Sequence, residues 1–321
     1  MTKNKNYIGI DISKLTFDVS ILDEKDKYKH YKFTNDLDGF KKLSQLLNYE
    51  SDVCVMEASG VYYLKLATYL FSIKISVCVI NPLVIRRFSQ MRMIRAKTDK
   101  KDSSVIADYG KTETPDLWKP EENYVLEIKQ MQAYVEQLNK SRTSLIRQRE
   151  AFKYNTVYAS EMNKSLDNMI DVFESQIALM ENKMVELVNQ NHKDLFDRLN
   201  SIPGIGRKTS MLLIVISGGF TKFENAKQLC SYIGISPRIF ESGTSVKGRS
   251  KICKMGMSRI RAMLYVCSWS AKKNNKACKE LYDRLVEKGK SKKLALIAVV
   301  NKLLKQVFAI ATKNEYYLEI N

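Results

Sequence analysis

The chain has 321 residues, a formal net charge of +18 and a mean hydropathy of −0.30. An apolar fraction of 45% is enough to build a core, so the composition excludes a disordered or collagen-like chain. No apolar run approaches the roughly 20 residues of a transmembrane helix, and no secretory signal precedes the first predicted strand. We therefore expect a soluble, cytoplasmic protein with no membrane partner.

Cysteine and histidine are placed unfavourably for metal binding or for a histidine-based triad. The six cysteines stand singly and mostly in apolar runs, and the two histidines, His30 and His192, are far apart. The absence of a CxxC or Cys/His cluster disfavours a zinc site. We expect buried, reduced thiols, so any chemistry must come from carboxylates, hydroxyls or a bound metal.

The positive charge is concentrated in two stretches. Between Arg238 and Lys305 there are 18 Lys or Arg residues against four acids, and between Arg86 and Lys111 there are eight against three. Such concentration indicates a polyanion partner, because neutralised phosphates release condensed counterions. A solvated basic face or an anionic membrane surface remains the alternative interpretation.

The first third of the chain predicts a mixed α/β unit. Short apolar runs with alternating or buried-strand character are interleaved with runs of helical spacing. The predicted strands are Tyr7–Asp11, Leu15–Leu22, Tyr28–Phe33, Asp52–Met56 and Ile75–Ile80, and the predicted helices are Leu37–Leu47, Val61–Phe71 and a segment from Pro82. Three antiparallel strands followed by βα units have the order of the ribonuclease-H-like fold.

Four carboxylates in this unit form a candidate metal site. Asp11 and Glu57 close the first and fourth strand runs, and Asp99 and Asp102 have the spacing that places both on one helix face. If the two strands are neighbours, Asp11 and Glu57 emerge side by side at the end of the sheet. Oxygen ligands alone favour Mg²⁺ or Mn²⁺, and two such ions roughly 3.5–4 Å apart would suit phosphoryl transfer.

Each acid also has a structural interpretation. An Asp at a strand end is often a turn residue, Asp99 could cap its helix, and Asp102 could interact with the helix dipole. The IGIDIS run also occurs in actin-like ATPases, but Ser13-Lys14-Leu15 is not the Gly-rich phosphate loop that such a fold requires.

The middle of the chain predicts long helices followed by a tight turn. No Gly or Pro occurs from Glu121 to Leu199, and apolar residues recur at helical spacing, which predicts an antiparallel hairpin or a self-associating coiled coil. The IPGIGRKTS run then resembles a helix-hairpin-helix, whose backbone N–H groups bind phosphate. The alternative for the long helices is a spacer within the chain, and the alternative for the turn is a helix–helix turn that binds no ligand. A further apolar helix is predicted at Lys290–Ala311.

A loop rich in Gly, Ser and cations lies between the helix-hairpin-helix run and the helix predicted at Lys290–Ala311, in the run IFESGTSVKGRSKICKMGMSRIR. Ser242 precedes Gly243, and Ser245 and Ser250 follow among Lys and Arg residues. A hydroxyl nucleophile attacking phosphate would need such surroundings, since the cations stabilise the oxyanions. A loop that clamps nucleic acid without covalent chemistry remains open.

Taken together, these motifs resemble the IS-one-ten family of insertion-sequence transposases, also called bridge-RNA-guided recombinases. The resemblance covers essentially the whole chain and is carried by GIDISK, MEASGVYY, AKTDKKDSSVIADY, IPGIGRKTS and YIGISPRIFESGTSVKGRSKICKMGMSRIRAMLY. It implies a RuvC-like DEDD domain at 1–115, a coiled-coil connector at 116–198 and a transposase domain at 199–321.

The resemblance also implies an activity and a set of site residues. Asp11, Glu57, Asp99 and Asp102 would hold Mg²⁺, which Mn²⁺ could replace, and Ser242 would be the nucleophile. Glu241 stands where many members carry Ser or Gln. Implied partners are donor and target DNA, a structured noncoding guide RNA, and further copies of the chain in a dimer or tetramer whose composite sites combine acids of one subunit with the serine of another.

Nucleic-acid contacts are expected from the hairpin turn and from the basic loop. The candidate residues are Gly204, Gly206, Arg207, Lys208, Arg238, Lys247, Arg249, Lys251, Lys254, Arg259 and Arg261. Two other functions stay open. One is a RuvC-like junction resolvase or nuclease that hydrolyses with metal-activated water, and the other is a basic nucleic-acid-binding protein without catalysis.

Overall fold

The computed structural model describes residues 5–23, 26–94, 98–157, 159–238, 241–242, 246–247, 251–253 and 255–318. The chain divides into two compact units, Met1–Glu121 and Glu122–Asn321. The second unit holds the C-terminal helices and residues 122–198 of the connector predicted at 116–198. The further division at residue 198 stays a prediction.

The first unit is built on a mixed five-stranded sheet with the order β3-β2-β1-β4-β5. β1 is antiparallel to β2 and parallel to β4, so the expected neighbourhood of the first and fourth strands is confirmed. The elements are β1 Asn6–Ile12, β2 Thr16–Leu22, β3 Tyr28–Thr34, α1 Leu37–Ser44, β4 Asp52–Glu57, α2 Tyr63–Ser72, β5 Ser76–Ile80, α3 Pro82–Met91 and α4 Asp99–Glu113. This arrangement confirms the predicted mixed α/β class and is consistent with a ribonuclease-H-like domain.

Helices cover both faces of the sheet. Ile8, Ile10 and Phe17 pack on the face covered by α1 and α2, in a core that also holds Phe40 and Leu66. The opposite face, with residues such as Val53 and Val55, packs against Ile85, Val105 and Ile106 from α3 and α4. The buried β4 run is apolar on both sides because it lies between these two layers.

Helix α4 approaches the sheet closely because Gly9 of β1 and Ser20 of β2 are small residues. A Cβ atom on Gly9 would lie 1.9 Å from the backbone oxygen of Ser103 and 2.4 Å from the backbone nitrogen of Ala107. On β2, the buried hydroxyl of Ser20 is 2.7 Å from the hydroxyl of Ser103. A strand glycine and a buried hydroxyl pair therefore set the position of α4 on the sheet.

The second unit is mainly helical. Its elements are α5 Asn123–Phe152, α6 Ser160–Asn200, α7 Arg207–Ser217, α8 Ala226–Ile233, β6 Pro237–Arg238, β7 Glu241–Ser242, β8 Val246–Lys247, β9 Lys251–Ile252, α9 Ser258–Asn274, α10 Lys276–Glu287 and α11 Lys292–Lys313. Strand β6 pairs with β9, and β7 pairs with β8, both antiparallel. One continuous core joins residues of α5 and α6 to those of α7, α8, α9 and α11.

Helices α5 and α6 form an antiparallel pair. Arg149 is paired with Asp167 and Arg142 with Glu174, and near the other end the Tyr124 hydroxyl is 2.6 Å from Nε2 of His192. Partners early in α5 thus lie late in α6. His192 also marks a bend in α6, with φ −142° and ψ 43°.

Helix α11 is, among the described helices, the one whose length and composition would allow it to cross a membrane. Its apolar side chains have another use here. Val299, Leu303 and Val307 are buried in the core of the second unit, within the apolar helix that the sequence predicted at Lys290–Ala311.

Candidate active site

A row of charged side chains crosses the sheet of the first unit on the face that α4 covers. In the strand register, Lys32 of β3 lies opposite Asp18 of β2, and Asp18 lies opposite Asp11 of β1. The next position across is Glu57, because the β1–β4 register ends at Ile10 and Met56, the residues just before Asp11 and Glu57. Neighbouring strands lie about 4.8 Å apart, so the two carboxylate-bearing positions are adjacent.

The strand alternation shows that Asp11 and Glu57 share a face with α4. Gly9, two residues before Asp11, lies against the backbone of α4. Val55, two residues before Glu57, has its Cγ2 atom 2.6 Å from where a Cβ on Gly110 of α4 would be. Since side chains two apart point to the same side of a strand, both acids face the layer that contains α4.

The first turn of α4 brings the other two acids to this layer. Asp99 is the first residue of the helix and Asp102 lies in the same turn, while the Thr98 hydroxyl caps the helix by accepting from the Lys101 N–H at 3.2 Å. The structural interpretation of Asp99 as the cap is therefore wrong, because Thr98 is the cap. Ser103, which follows Asp102, is the residue anchored to Ser20.

Lys32 links the strand acids to the helix acids. Its Nζ atom is 3.2 Å from Oδ2 of Asp18 and 3.7 Å from Oδ2 of Asp99. The hydrogen bond to Asp18 is the main cause that raises the pKa of Lys32, so the lysine keeps its charge. Carboxylates opposite each other on paired strands repel, and Lys32 offsets that repulsion between Asp11 and Asp18.

Asp18, Lys32 and Gly9 contribute to the site although no motif in the sequence pointed to them. Asp18 alternates with the buried residues Phe17 and Val19, a pattern typical of a solvent-facing position, so no local signal showed that it faces the layer that contains α4. Asp18 has a side chain only 13% exposed, whereas that of Asp99 is 69% exposed. Asp99, the more exposed of the two acids, has more room to change partners than Asp18.

The donor set suits a hard divalent cation, since every acid offers oxygen. Within the described part of the chain, no three acidic, histidine or cysteine side chains are grouped closely enough to hold a metal ion as they stand. Each of Asp11, Glu57 and Asp102 has an interaction partner of its own. Loading of this site would therefore require side chains such as Asp99 to exchange partners.

The loop with the candidate serine belongs to the second unit. Ser242 lies in β7, and its backbone is opposite Val246 of β8. The side chains of Ser242, Arg238, Lys247 and Lys251 lie outside what the structure describes, as do the whole residues Ser245, Arg249, Ser250 and Lys254.

The hairpin turn between α6 and α7 is tightly packed. Gly204 has φ +102°, and a Cβ there would lie 2.7 Å from that of Ala271 on α9. Gly206 is the N-cap of α7, with no side-chain cap, and Arg207 is exposed. The turn therefore leaves the N-terminus of α7 without a side-chain acceptor.

Three of the candidate nucleic-acid contacts have partners within the second unit. Lys208 is paired with Glu181, and Arg259 with Glu136 at 2.7 Å. Arg261 donates from Nη1 to the backbone oxygen of Ile233 at 2.9 Å. These cations help to hold helices together, whereas Arg207 has no ion-pair partner recorded in the described region.

Two family models match the chain, and the first of them extends beyond the first unit through α5. A transposase family model of the DEDD type matches residues 8–152, and a model described as the transposase IS116/IS110/IS902 family matches residues 196–283. The first match contains all four candidate acids and the second contains Ser242.

Similar proteins cover the full length. The chain is 34% identical to a pilin gene-inverting protein of Moraxella bovis and 33% identical to one of Moraxella lacunata, in each case over 97% of both chains. It is 21% identical to the transposase for insertion sequence element IS1111A of Coxiella burnetii, over 98% of this chain and 92% of that protein. Motifs, sheet topology and full-length similarity agree, and the chain belongs to the IS110 family of insertion-sequence transposases.

Proposed function

We propose that this protein is a DNA recombinase of a mobile element, which cuts and rejoins DNA strands by phosphoryl transfer without ATP. The observation that carries the proposal is the adjacency of Asp11 and Glu57 on the face covered by the first turn of α4. DNA inversion, named in the Moraxella relatives, and transposition, named in the Coxiella relative, both need such strand exchange.

The four acids would hold Mg²⁺ or Mn²⁺, as is typical of DEDD transposase domains. The bound cation would supply positive charge to the scissile phosphate. Before a cation binds, the positive charge of Lys32 balances the negative charges of Asp18 and Asp99. The buried Ser20–Ser103 contact holds α4, and hence Asp99 and Asp102, at the end of the sheet.

Ser242 is proposed as the nucleophile. Its Oγ would form a bond to phosphorus as the bond from phosphorus to one deoxyribose oxygen breaks, which leaves a phosphoserine-linked strand and a free hydroxyl. Attack by a hydroxyl of the partner duplex would reverse the step, so the phosphodiester energy is conserved. The family resemblance supports this role for Ser242. The same resemblance supports a guide RNA, a coiled-coil connector, a helix-hairpin-helix contact to nucleic acid and a tetramer with composite sites.

The test is a denaturing gel with labelled DNA that carries the element's own ends and flanks, with the guide RNA transcribed from the element. The Ser242→Ala variant is expected to lose the covalent protein–DNA adduct while DNA binding persists. Ser245→Ala and Ser250→Ala are matched controls from the same loop and should keep the adduct.

Three results would contradict parts of the proposal. An adduct that survives in Ser242→Ala would move the nucleophile to another serine. Hydrolytic nicks without any adduct in the unmodified protein would favour a nuclease or junction resolvase. Full activity in Asp11→Asn would remove the carboxylates from the chemistry altogether.

A further inference from the structure

An aromatic and cationic cluster lies on the surface of the second unit, on α9 and α10. Trp269 remains 48% exposed, and Val266, one turn earlier on the same helix, is 69% exposed. Tyr265 meets the Trp269 ring edge-on, with 6.5 Å between ring centroids. Large apolar side chains exposed together on one helix face mark a contact surface.

A lysine is held between two of the rings. The Nζ atom of Lys272 lies 4.4 Å from the centroid of Trp269 and 4.8 Å from that of Tyr282 on α10. Lys273 is exposed beside it, and the sequence of α9 contains four Lys or Arg residues and no acid. The cluster therefore combines flat ring surface with positive charge.

We infer that this cluster, formed by Tyr265, Trp269, Lys272 and Tyr282, binds unpaired nucleotides by stacking a base on Trp269 and pairing Lys272 and Lys273 with the adjacent phosphates. A nucleotide offers both a flat base and a negative charge, and stacking tolerates any base. In a duplex the base faces are hidden, so single strands are the partner that fits.

The charge argues against a second copy of the chain as the occupant. A symmetric contact through the same face would bring Lys272 and Lys273 close to their own counterparts. The inference adds a partner surface to the proposed recombinase, in which strand exchange exposes unpaired bases. It does not depend on which residue attacks the phosphate.

The chain has only two tryptophans, which makes the inference directly measurable. In Trp118→Phe, Trp269 is the sole fluorescent tryptophan, and in Trp269→Phe, Trp118 of the first unit is the control. Single-stranded DNA and RNA of about twelve nucleotides, and a DNA duplex of the same sequence, are titrated in EDTA so that no strand is cut.

Saturable quenching of Trp269 by single strands, with little change for Trp118 or with duplex, is the expected result. A response to DNA alone or to RNA alone also supports the site and identifies its ligand. In the chain that keeps Trp118, the substitution Trp269→Leu should weaken single-strand binding about tenfold, because stacking contributes roughly 1–3 kcal/mol per base. Lys272→Gln should weaken it and reduce its salt dependence.

The inference is overturned if Trp269 does not respond to single strands, or if duplex quenches it equally. A fluorescence change that follows protein concentration without nucleic acid would assign the face to self-association instead. Should Trp118→Phe fail to fold, ¹⁹F spectra of the 5-fluorotryptophan-labelled protein resolve the two residues. Because the assay needs no cleavage, its failure leaves the recombinase proposal intact, and loss of cleavage leaves this inference intact.

Discussion

The substitution Gly9→Ala tests whether the approach of α4 to β1 positions the acids. The added Cβ would lie 1.9 Å from the backbone oxygen of Ser103, and neither group is a flexible side-chain end. To reach a tolerable separation of about 3.0 Å, α4 must retreat by roughly 1 Å, at a cost of about 1–3 kcal/mol. Because Asp102 precedes Ser103, the helix acids would move with it, and a displacement of that size lowers rates by roughly 100-fold.

Gly110→Ala is the matched control on the same helix. Its Cβ would meet the side chains of Val55 and Tyr7 at 2.6 and 2.9 Å, so it also strains the helix–sheet contact. Gly110 lies about 16 Å along α4 from Asp99, however, and should disturb the acids less.

The assay pairs urea unfolding with excision of the element's ends from a plasmid, measured where each variant is folded. We expect a smaller loss of stability in Gly110→Ala, because its Cβ meets side chains that can shift and because alanine favours the helix, and a far larger loss of excision in Gly9→Ala. Unchanged excision in a folded Gly9→Ala protein would refute the link between this contact and the site.

Two further predictions concern stability and reactivity. Asp36 caps α1 by accepting from the Gly39 N–H at 2.9 Å, and this bond lowers the pKa of its carboxyl. A lowered folded-state pKa stabilises the protein above the unfolded value, and that stability is lost as the pH falls below about 4. Asp36→Asn, which keeps an acceptor, should flatten this part of the pH profile of unfolding; a profile unchanged in Asp36→Asn contradicts the assignment. Burial raises the pKa of the Cys78 and Cys278 thiols to about 11, so both should resist iodoacetamide at about pH 8 until the chain is unfolded, as mass spectrometry of the alkylated peptides would show. Alkylation of either as fast as in the unfolded chain would contradict their burial.

The sheet and its acids could be predicted because their signals are local. Short connections made β1, β2 and β3 antiparallel, and the βα rhythm that follows made β4 and β5 parallel. When two neighbouring parallel strands each end in an acid, both acids lie at the same end of the sheet. Asp11 and Glu57 therefore could be brought together without coordinates.

Other features depended on register and on distant partners. The contact of Lys32 with both Asp18 and Asp99 requires the pairing of β2 with β3 and the placement of α4, which no short run of sequence encodes. Arg259 was assigned to nucleic acid from its basic surroundings. Its partner Glu136 is 123 residues away, and only the fold of the second unit brings the two side chains together.

The aromatic cluster was also invisible in the sequence. Trp269 and Lys272 are one turn apart on α9, but Tyr282 joins them only because α10 folds back beside that helix. From spacing alone these residues are equally typical of a buried helix face. Their exposure is what distinguishes the two cases.

The proposed chemistry requires Asp11, Glu57, Asp99 and Asp102 to form one cation-binding site at the end of the sheet. Electron paramagnetic resonance titration with Mn²⁺ measures this binding without DNA or guide RNA. We expect saturable binding that is lost in Asp11→Asn and in Glu57→Gln but kept in Asp171→Asn, which removes an exposed acid on α6. Undiminished Mn²⁺ affinity in both Asp11→Asn and Glu57→Gln would show that these carboxylates do not hold the cation.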